Sequence, residues 1–259
     1  MVPDVAGPIH PYDRHVGRYG AQLARRMIGV AGISAADRVL DVGCGTGQLT
    51  VELAAAVGAG HVSAIDPAAA MMEVAVARVP GADIRLGSAE ALPFPAGHFD
   101  AVVAQLVVNL TDDPPATVRE MARVARPGAV VAACFWDDRR MPLLRSFWDA
   151  ARAVAPGALA GVDDRSRVGL ADGSLIERWW QQAGLSEIEA GEFEASAAYE
   201  DFDDLFFAFE HGAGESGRLY LSLEPDQRSA LRADAHSRLG SPAGRFRLEA
   251  TVRFVRGLR

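Results

Sequence analysis

The chain has 259 residues, 49% of them apolar, and a formal net charge of −8. That length allows one sizeable core plus a cap, no run approaches the ~20 apolar residues of a membrane span, and the acidic balance argues against a nucleic-acid footprint, which needs clustered Lys and Arg. Two cysteines, Cys44 and Cys134, without the Cys/His spacing of a metal site, read as reduced thiols of a cytoplasmic protein, and the start Met1-Val2-Pro3-Asp4 lacks the basic and apolar regions of a secretion signal.

Residues 1–10 read as loose and Pro-rich. From Tyr12 to Val30 the pattern is helical, with Leu23, Met27 and Val30 on one face. Strand 38–42, helix 47–57, strand 61–65, helix 68–78 and a short strand 82–86 follow, then strand 99–105. Pro114 and Pro115 open a helix, as prolines do in a first turn, and Pro127-Gly128 stops it before strand 129–135. Strands alternating with helices imply a parallel sheet with right-handed crossovers. Their continuous apolar character says that both faces of the sheet are covered.

The second half differs. A helix is expected around Leu143–Val154, followed by a polar, Gly-containing stretch to 172, and another helix over 174–183 ends at Gly184. Segment 186–194 alternates and reads as a strand, 199–242 is mainly helical, and 246–255 alternates again. Arg245, Arg247, Arg253, Arg256 and Arg259 read as the charged outer face of a terminal strand, discouraging edge-to-edge pairing. The chain reads as one domain, 1–259, with inserts at 137–172 and 199–242.

The most informative stretch runs from Val39 to Thr50: an apolar strand, Asp41, glycines at 43, 45 and 47, then a helix. Asp66 ends the next apolar run. Glycines let the chain turn sharply and let a ligand lie on bare main chain. The dinucleotide fingerprint needs a third-position glycine where Gln48 stands, which weighs against a nicotinamide-dependent dehydrogenase. A phosphate-cradling loop needs a Gly-Lys-Ser/Thr ending, which is missing. The loop therefore suits a ligand with an amino-acid tail and a nucleoside head. Asp41 can orient loop amides or meet an ammonium group, and the two oxygens of Asp66 can accept from both hydroxyls of a ribose.

With these residues the chain resembles the class I S-adenosylmethionine (SAM) dependent methyltransferases, closest to the group of the ubiquinone/menaquinone-biosynthesis enzymes. The likeness spans roughly residues 10–136 and is carried by Val39–Thr50, by Ala64-Ile65-Asp66-Pro67 with the helix start through Met72, by Gly87–Asp100, and by Glu120–Ala129. It implies a Rossmann-like seven-stranded, mostly parallel α/β sheet with helices on both faces and an antiparallel last strand. The inserts would form a helical cap over the ligand edge. SAM would be the cofactor and a small molecule the methyl acceptor. Gly43, Cys44 and Gly45 would lie along the methionine part, Asp66 would hold the ribose, and Pro67 and Met71 would pack near the adenine. Ala89 and its neighbours Ser88 and Glu90 would meet the adenine edge, and Gln105 would lie near the reactive methyl. Ser88 stands where the family often has Asp, so that contact loses a charge and Glu90 is its substitute.

Methyl transfer from a sulfonium is an in-line displacement with a neutral leaving group, so alignment is the protein's main task. A base helps when the acceptor is a hydroxyl or an acidic carbon. His15, Glu210 and His211 are candidates, with Asn109 and His98 behind them. Arg18 is suited to the methionine carboxylate, and Tyr12 or Tyr19 to walling the methyl site. Phe135, Trp136, Phe147, Trp148, Phe202, Phe206, Phe207 and Phe209, in or beside the inserts, suit an apolar or aromatic acceptor or form the cap's own core. The alternative to an enzyme is a non-catalytic protein that binds SAM or its product on the same fold. No metal is required. The acceptor atom and the oligomeric state are not legible.

Overall fold

The computed structural model describes residues 11–159 and 173–259; the segment read as loose at 1–10 and the polar stretch over 160–172 lie outside them. Strands β1 (Val39–Val42), β2 (Val62–Asp66), β3 (Asp83–Leu86), β4 (Phe99–Gln105), β5 (Ala125–Trp136), β6 (Ser186–Tyr199) and β7 (Phe246–Leu258) form a seven-stranded sheet in the order β3-β2-β1-β4-β5-β7-β6. Neighbours from β3 through β5 are parallel, and β7 runs antiparallel to β5. The helices are α1 (Pro11–Arg14), α2 (Gly20–Ala31), α3 (Gln48–Val57), α4 (Ala69–Arg78), α5 (Pro114–Val124), α6 (Pro142–Val154), α7 (Gly173–Gln182), α8 (Phe202–Glu210), α9 (Gly214–Ser222) and α10 (Pro225–Arg238).

The chain forms two compact units. The sheet unit holds 20–136, 173–193 and 252–259, and the second holds 11–19, 137–159 and 194–251. In the sheet unit the interior strands are apolar throughout because both of their faces are covered: Val39, Leu40, Val42, Val102, Val103, Val131 and Ala133 are all fully buried. Each such side chain contributes ~1.5–3 kcal/mol on leaving water. The chain leaves β1 toward β2 and β3 on one side and takes up β4 and β5 on the other. The strand order thus reverses between β1 and β4, and ligands in open parallel sheets lie beyond the carboxyl ends at such a point.

Strands β6 and β7 run longer than the expected 186–194 and 246–255, and three further differences stand out. The N-terminal helix is broken: α1 gives way at His15 to a 3-10 turn, Val16–Tyr19, before α2 begins at Gly20. Gly17 sits so close to Tyr12 that a Cβ would stand 2.9 Å from its carbonyl oxygen, a turn tighter than an α-helix allows. Strand β5 starts at Ala125, ahead of Pro127-Gly128, and absorbs that pair as an irregularity: Phe99 pairs with Ala125 but Ala101 with Val130. Strand β7 is interior, and β6 is the edge. The terminal arginines therefore face a neighbour strand. Arg256 lies 3.9 Å from Glu189, while Arg245 bonds Glu200 and Arg247 bonds Ser196, both at 2.6 Å.

Candidate functional site

The glycine loop is sewn to the end of β2. The amides of Gly43 and Cys44 both donate to the carbonyl of Ile65, at 2.8 and 3.0 Å. The amide of Gly45 donates to Oδ2 of Asp66 at 2.7 Å, and that of Ala68, at the start of α4, donates to Oδ1 at 2.8 Å. Arg78, in the last turn of α4, holds the carbonyl of Thr46 at 2.9 Å.

The loop glycines answer different needs. All have positive φ. At Gly43 a Cβ would meet Val107 Cγ2 at 2.4 Å, so this glycine makes room for the turn after β4. At Gly45 a Cβ would meet nothing within 4 Å, so here bare main chain faces open space. Gln48 fills the place of the fingerprint glycine, with its side chain 2.9–3.1 Å from where a Cβ on Gly20 would stand, and the close approach of α2 to α3 is supplied by Gly20 instead.

Asp41 is buried under the loop, and its Oδ2 accepts from the Thr50 hydroxyl at 2.7 Å. Burial, helped by the nearby charge of Asp66 and opposed by Thr50, raises its carboxyl to about 7. Burial and then the charges of Asp41 and Asp66 push the Cys44 thiol well above its ordinary range, which leaves it a small, unreactive filler. Cys134, in β5, is pushed up to about 12 by burial. Across β1, Asp41 is level with Val103 of β4, which brings Gln105 beside the start of the loop. The Gln105 Nε2 donates to the carbonyl of Gly20 at 3.3 Å, which orients the amide, and its Oε1 is buried without a partner. Asn109 Oδ1, one turn further on, is likewise buried and unpartnered. Between them Leu106 holds φ of 62°, a left-handed conformation that a Leu adopts at a cost of ~1–3 kcal/mol.

The stretch after β3 forms the third wall. The Ser88 hydroxyl donates to Glu90, and Oε1 of Glu90 accepts from the amide of Asp112 at 3.0 Å. Burial works to raise the Glu90 carboxyl, but the hydrogen bonds from Ser88 and from main-chain amides outweigh it and hold it below the usual range. Ala89 is buried, Pro67 is exposed and Met71 is half-buried. Glu120 and Arg123 of α5 clamp the next residues: Glu120 accepts from the amide of Leu92 at 2.9 Å, and Arg123 donates to the carbonyls of Leu92 and Phe94, each at 2.9 Å. Neither was among the expected site residues, nor were Thr50 and Val107, although Glu120 and Arg123 stand in a stretch that carried the resemblance.

The methyltransferase-domain family matches residues 40–133. A 2-phytyl-1,4-naphtoquinone methyltransferase of Synechococcus elongatus is 38% identical over 133 residues, 48% of this chain and 57% of the relative. A demethylmenaquinone methyltransferase of Clavibacter sepedonicus is 31% identical over 189 residues, 71% of this chain and 76% of the relative. The chain belongs to the SAM-dependent methyltransferases. The solved structure of a protein of Anaeromyxobacter dehalogenans assigned as a type II methyltransferase superposes with a TM-score of 0.63 at 25% identity, covering 93% of this chain and 97% of that one. The chain spans about half the length of the first curated relatives it matches, 43% of mycobacterial proteins that are 38% identical over 120 residues.

The sheet unit of this methyltransferase fits SAM. An ionised carboxylate has about four lone-pair sites, so Asp66 retains capacity for a ribose diol after accepting two amides. The strand ends of β2, β1 and β4 present Asp66, Asp41 and the free Oε1 of Gln105, all acceptors, which suits a ligand bearing an ammonium and a sulfonium.

The remaining expected residues lie in the second unit. The Arg18 guanidinium is engaged there: Nη2 pairs with Asp204 at 2.5 Å, Nε donates to the carbonyl of Arg14 at 2.8 Å and Nη1 to that of Ala198 at 3.0 Å. Arg14 shares Asp204 at 2.6 Å, and both arginines hold the Asp204 carboxyl below its usual range despite burial. A methionine carboxylate at Arg18 would have to compete with these partners. His15 is buried edge-on against Phe209, with ring centroids 4.8 Å apart, and its Nδ1 has no partner. Burial lowers it to about 4, so it is neutral. Tyr12 is half-buried in α1, and Tyr19 is fully buried. Glu210 is paired with Arg232 at 3.3 Å, and His211 stacks on Phe207 at 3.7 Å with Nδ1 2.8 Å from the carbonyl of that residue. His98, in the sheet unit, packs edge-on against Phe99 at 4.8 Å. A cleft of about 510 Å³ opens between α8 and α10, lined by Phe202, Arg232 and His236 among others.

Proposed function

We propose that the protein transfers the methyl group of SAM to a small organic acceptor, apolar or aromatic. The observation that carries this reading is the set of side-chain oxygens of Asp66, Asp41 and Gln105 at three adjacent strand ends, with the open main chain of Gly45 beside them. Bound SAM supplies an activated methyl on a sulfonium. The chain's task is to orient it: Asp66 on the ribose, Ser88, Ala89 and Glu90 at the adenine edge with Pro67 and Met71 beside it, and Gly43, Cys44 and Gly45 with Gln105 along the methionine. Positioning of this kind can supply ~7–11 kcal/mol of the barrier.

The second unit is built from the expected inserts and the N-terminal turn and carries Tyr12, Arg18 and Tyr19. Its buried aromatic group of Phe147, Phe206, Phe209 and Tyr220 supports an apolar acceptor. One relative is named for 2-phytyl-1,4-naphtoquinone and another for demethylmenaquinone, which favours quinone-type compounds among aromatic acceptors. His15, Glu210 and His211 are each taken up by packing or pairing, which favours an acceptor whose nucleophile is already ionised over one that needs a strong base.

The test is incubation with SAM and a panel of phenols, reduced naphthoquinones, amines and carboxylates. Release of S-adenosylhomocysteine with a methylated product supports the reading. Tight SAM binding with no turnover on any acceptor supports the non-catalytic binder instead.

A further inference from the structure

Asp41 and Asp66 end adjacent parallel strands, both are buried, and among the described residues neither has an ion-pair partner. Asp66 accepts from two amides, and the partners of the Asp41 side chain are the hydroxyl and the main-chain amide of Thr50. Asp41 faces Asp66 from β2, the thiol of Cys44 from the loop and Thr50 from α3; no cation is among them. Gln105, on the other neighbouring strand, adds a buried acceptor. Among the described residues these partners of the two carboxylates thus include no counter-charge, Arg78 meeting the loop at the Thr46 carbonyl, and a buried charge without a counter-charge is costly. A cationic ligand above the loop would remove that cost, and a neutral one would not.

We infer that Asp41 is the residue by which the site tells the charged methyl donor from its neutral product, ionising when the sulfonium binds and recovering its proton when the thioether is left. This rests on the reading that the sheet unit binds SAM. SAM and S-adenosylhomocysteine share the ribose, adenine, carboxylate and ammonium, so Asp66 and the adenine loop see them alike, and they differ in charge only at sulfur. Asp41 acts through the field over the loop and is a positioning residue. Because its carboxyl is raised to about 7 by burial, it is largely protonated in the free protein below neutrality, and a ligand that favours the ionised form releases the proton.

The experiment is calorimetric titration of the whole chain with SAM and with S-adenosylhomocysteine, at pH 5.5 and 7, in buffers of different ionisation enthalpy. SAM is expected to release about half a proton near pH 7. The ratio of SAM to S-adenosylhomocysteine affinity is expected to rise roughly fivefold or more from pH 5.5 to 7. Asp41→Asn is expected to flatten that rise, and Thr50→Val to move it to higher pH. Asp66→Asn is expected to weaken both ligands equally and, by removing a charge that helps to raise the Asp41 carboxyl, to move the rise to lower pH without abolishing it. SAM binding with no proton release and an unchanged ratio overturns the inference while leaving the SAM site standing. Failure of both ligands to bind at either pH overturns the site as well.

Discussion

At the scale of single residues, the glycine loop separates two jobs that a run of identical glycines conceals. Gly43 exists to admit Val107, and Gly45 to leave main chain uncovered. Gly43→Ala would force a methyl to within 2.4 Å of a branched side chain in a left-handed conformation. Overpacking of ~1–3 kcal/mol adds to backbone strain of ~1–2 kcal/mol, so the variant is expected to lose ~2–5 kcal/mol in urea unfolding. Gly45→Ala carries the strain alone, so its loss is expected to be ~1–2 kcal/mol, with weaker SAM binding as its main effect. Equal losses of stability in the two variants would contradict this division. Asp66→Ala is expected to weaken SAM at least tenfold, since bonds to a charged group contribute ~1.5–3 kcal/mol each. Its two main-chain amides lose their acceptor as well, so S-adenosylhomocysteine should weaken equally; calorimetry with both ligands checks this. The place of Asp66 at a strand end and of the glycines in the loop was legible in the sequence because residue type and spacing carry it. It concealed the partners of Arg18, because Asp204 lies 186 residues away and nothing local marks the pairing.

At the scale of elements, the stretch after β3 is held less by its own sequence than by α5. Arg123 spans two loop carbonyls while Glu120 takes a loop amide, so one helix turn fixes the stretch after β3, the side proposed for the adenine. Both side chains are partly exposed, and water can replace part of what they give. Arg123→Ala is accordingly expected to cost only ~1 kcal/mol of stability. Its sharper effect is expected in hydrogen exchange, with faster exchange of the amides over 87–95 and no change in β1 or β2. Uniform acceleration across the sheet unit would show that the clamp serves global stability instead. The elements β1 through β4 were legible within a residue or so, because buried parallel strands are continuously apolar and their helices begin at clear signals. The broken helix at His15 was not legible, because Tyr12–Val30 keeps helical spacing and only the close approach at Gly17 interrupts it. The extra length of β5 was hidden by Pro127-Gly128, a pair that ends helices and also fits a strand irregularity. The interior place of β7 was hidden because alternation reports a half-covered face and says nothing of which neighbour lies beside the strand.

At the scale of the whole molecule, each unit carries a buried titratable group, and the two respond to pH in opposite directions. His15, in the second unit, is held neutral by burial, with its protonation lowered from 6.5 to about 4. The unfolded chain takes up that proton below about 6.5, so the stability His15 allows is present above that pH and is lost as pH falls toward 4. At ~1.4 kcal/mol per unit of displacement, the loss reaches ~3 kcal/mol. Asp41, in the sheet unit, is raised to about 7, so its contribution is present at low pH and is lost as pH rises from the ordinary carboxylate range toward 7. Between about pH 4 and 6.5 the two slopes oppose, and the wild-type chain should show a shallow dependence of melting temperature on pH. Removing either group should expose the other. Asp41→Asn is expected to melt progressively higher as pH rises through this window. His15→Phe, which places a ring of similar size against Phe209 without a nitrogen to charge, is expected to lose the acid-side fall and to melt lower as pH rises. The two variants should therefore diverge in sign, a result that a change in packing alone would not produce. Thermal melts of the three proteins at half-unit intervals from pH 4 to 7 decide it, and parallel curves for His15→Phe and wild type would show that His15 is not the acid-sensitive group.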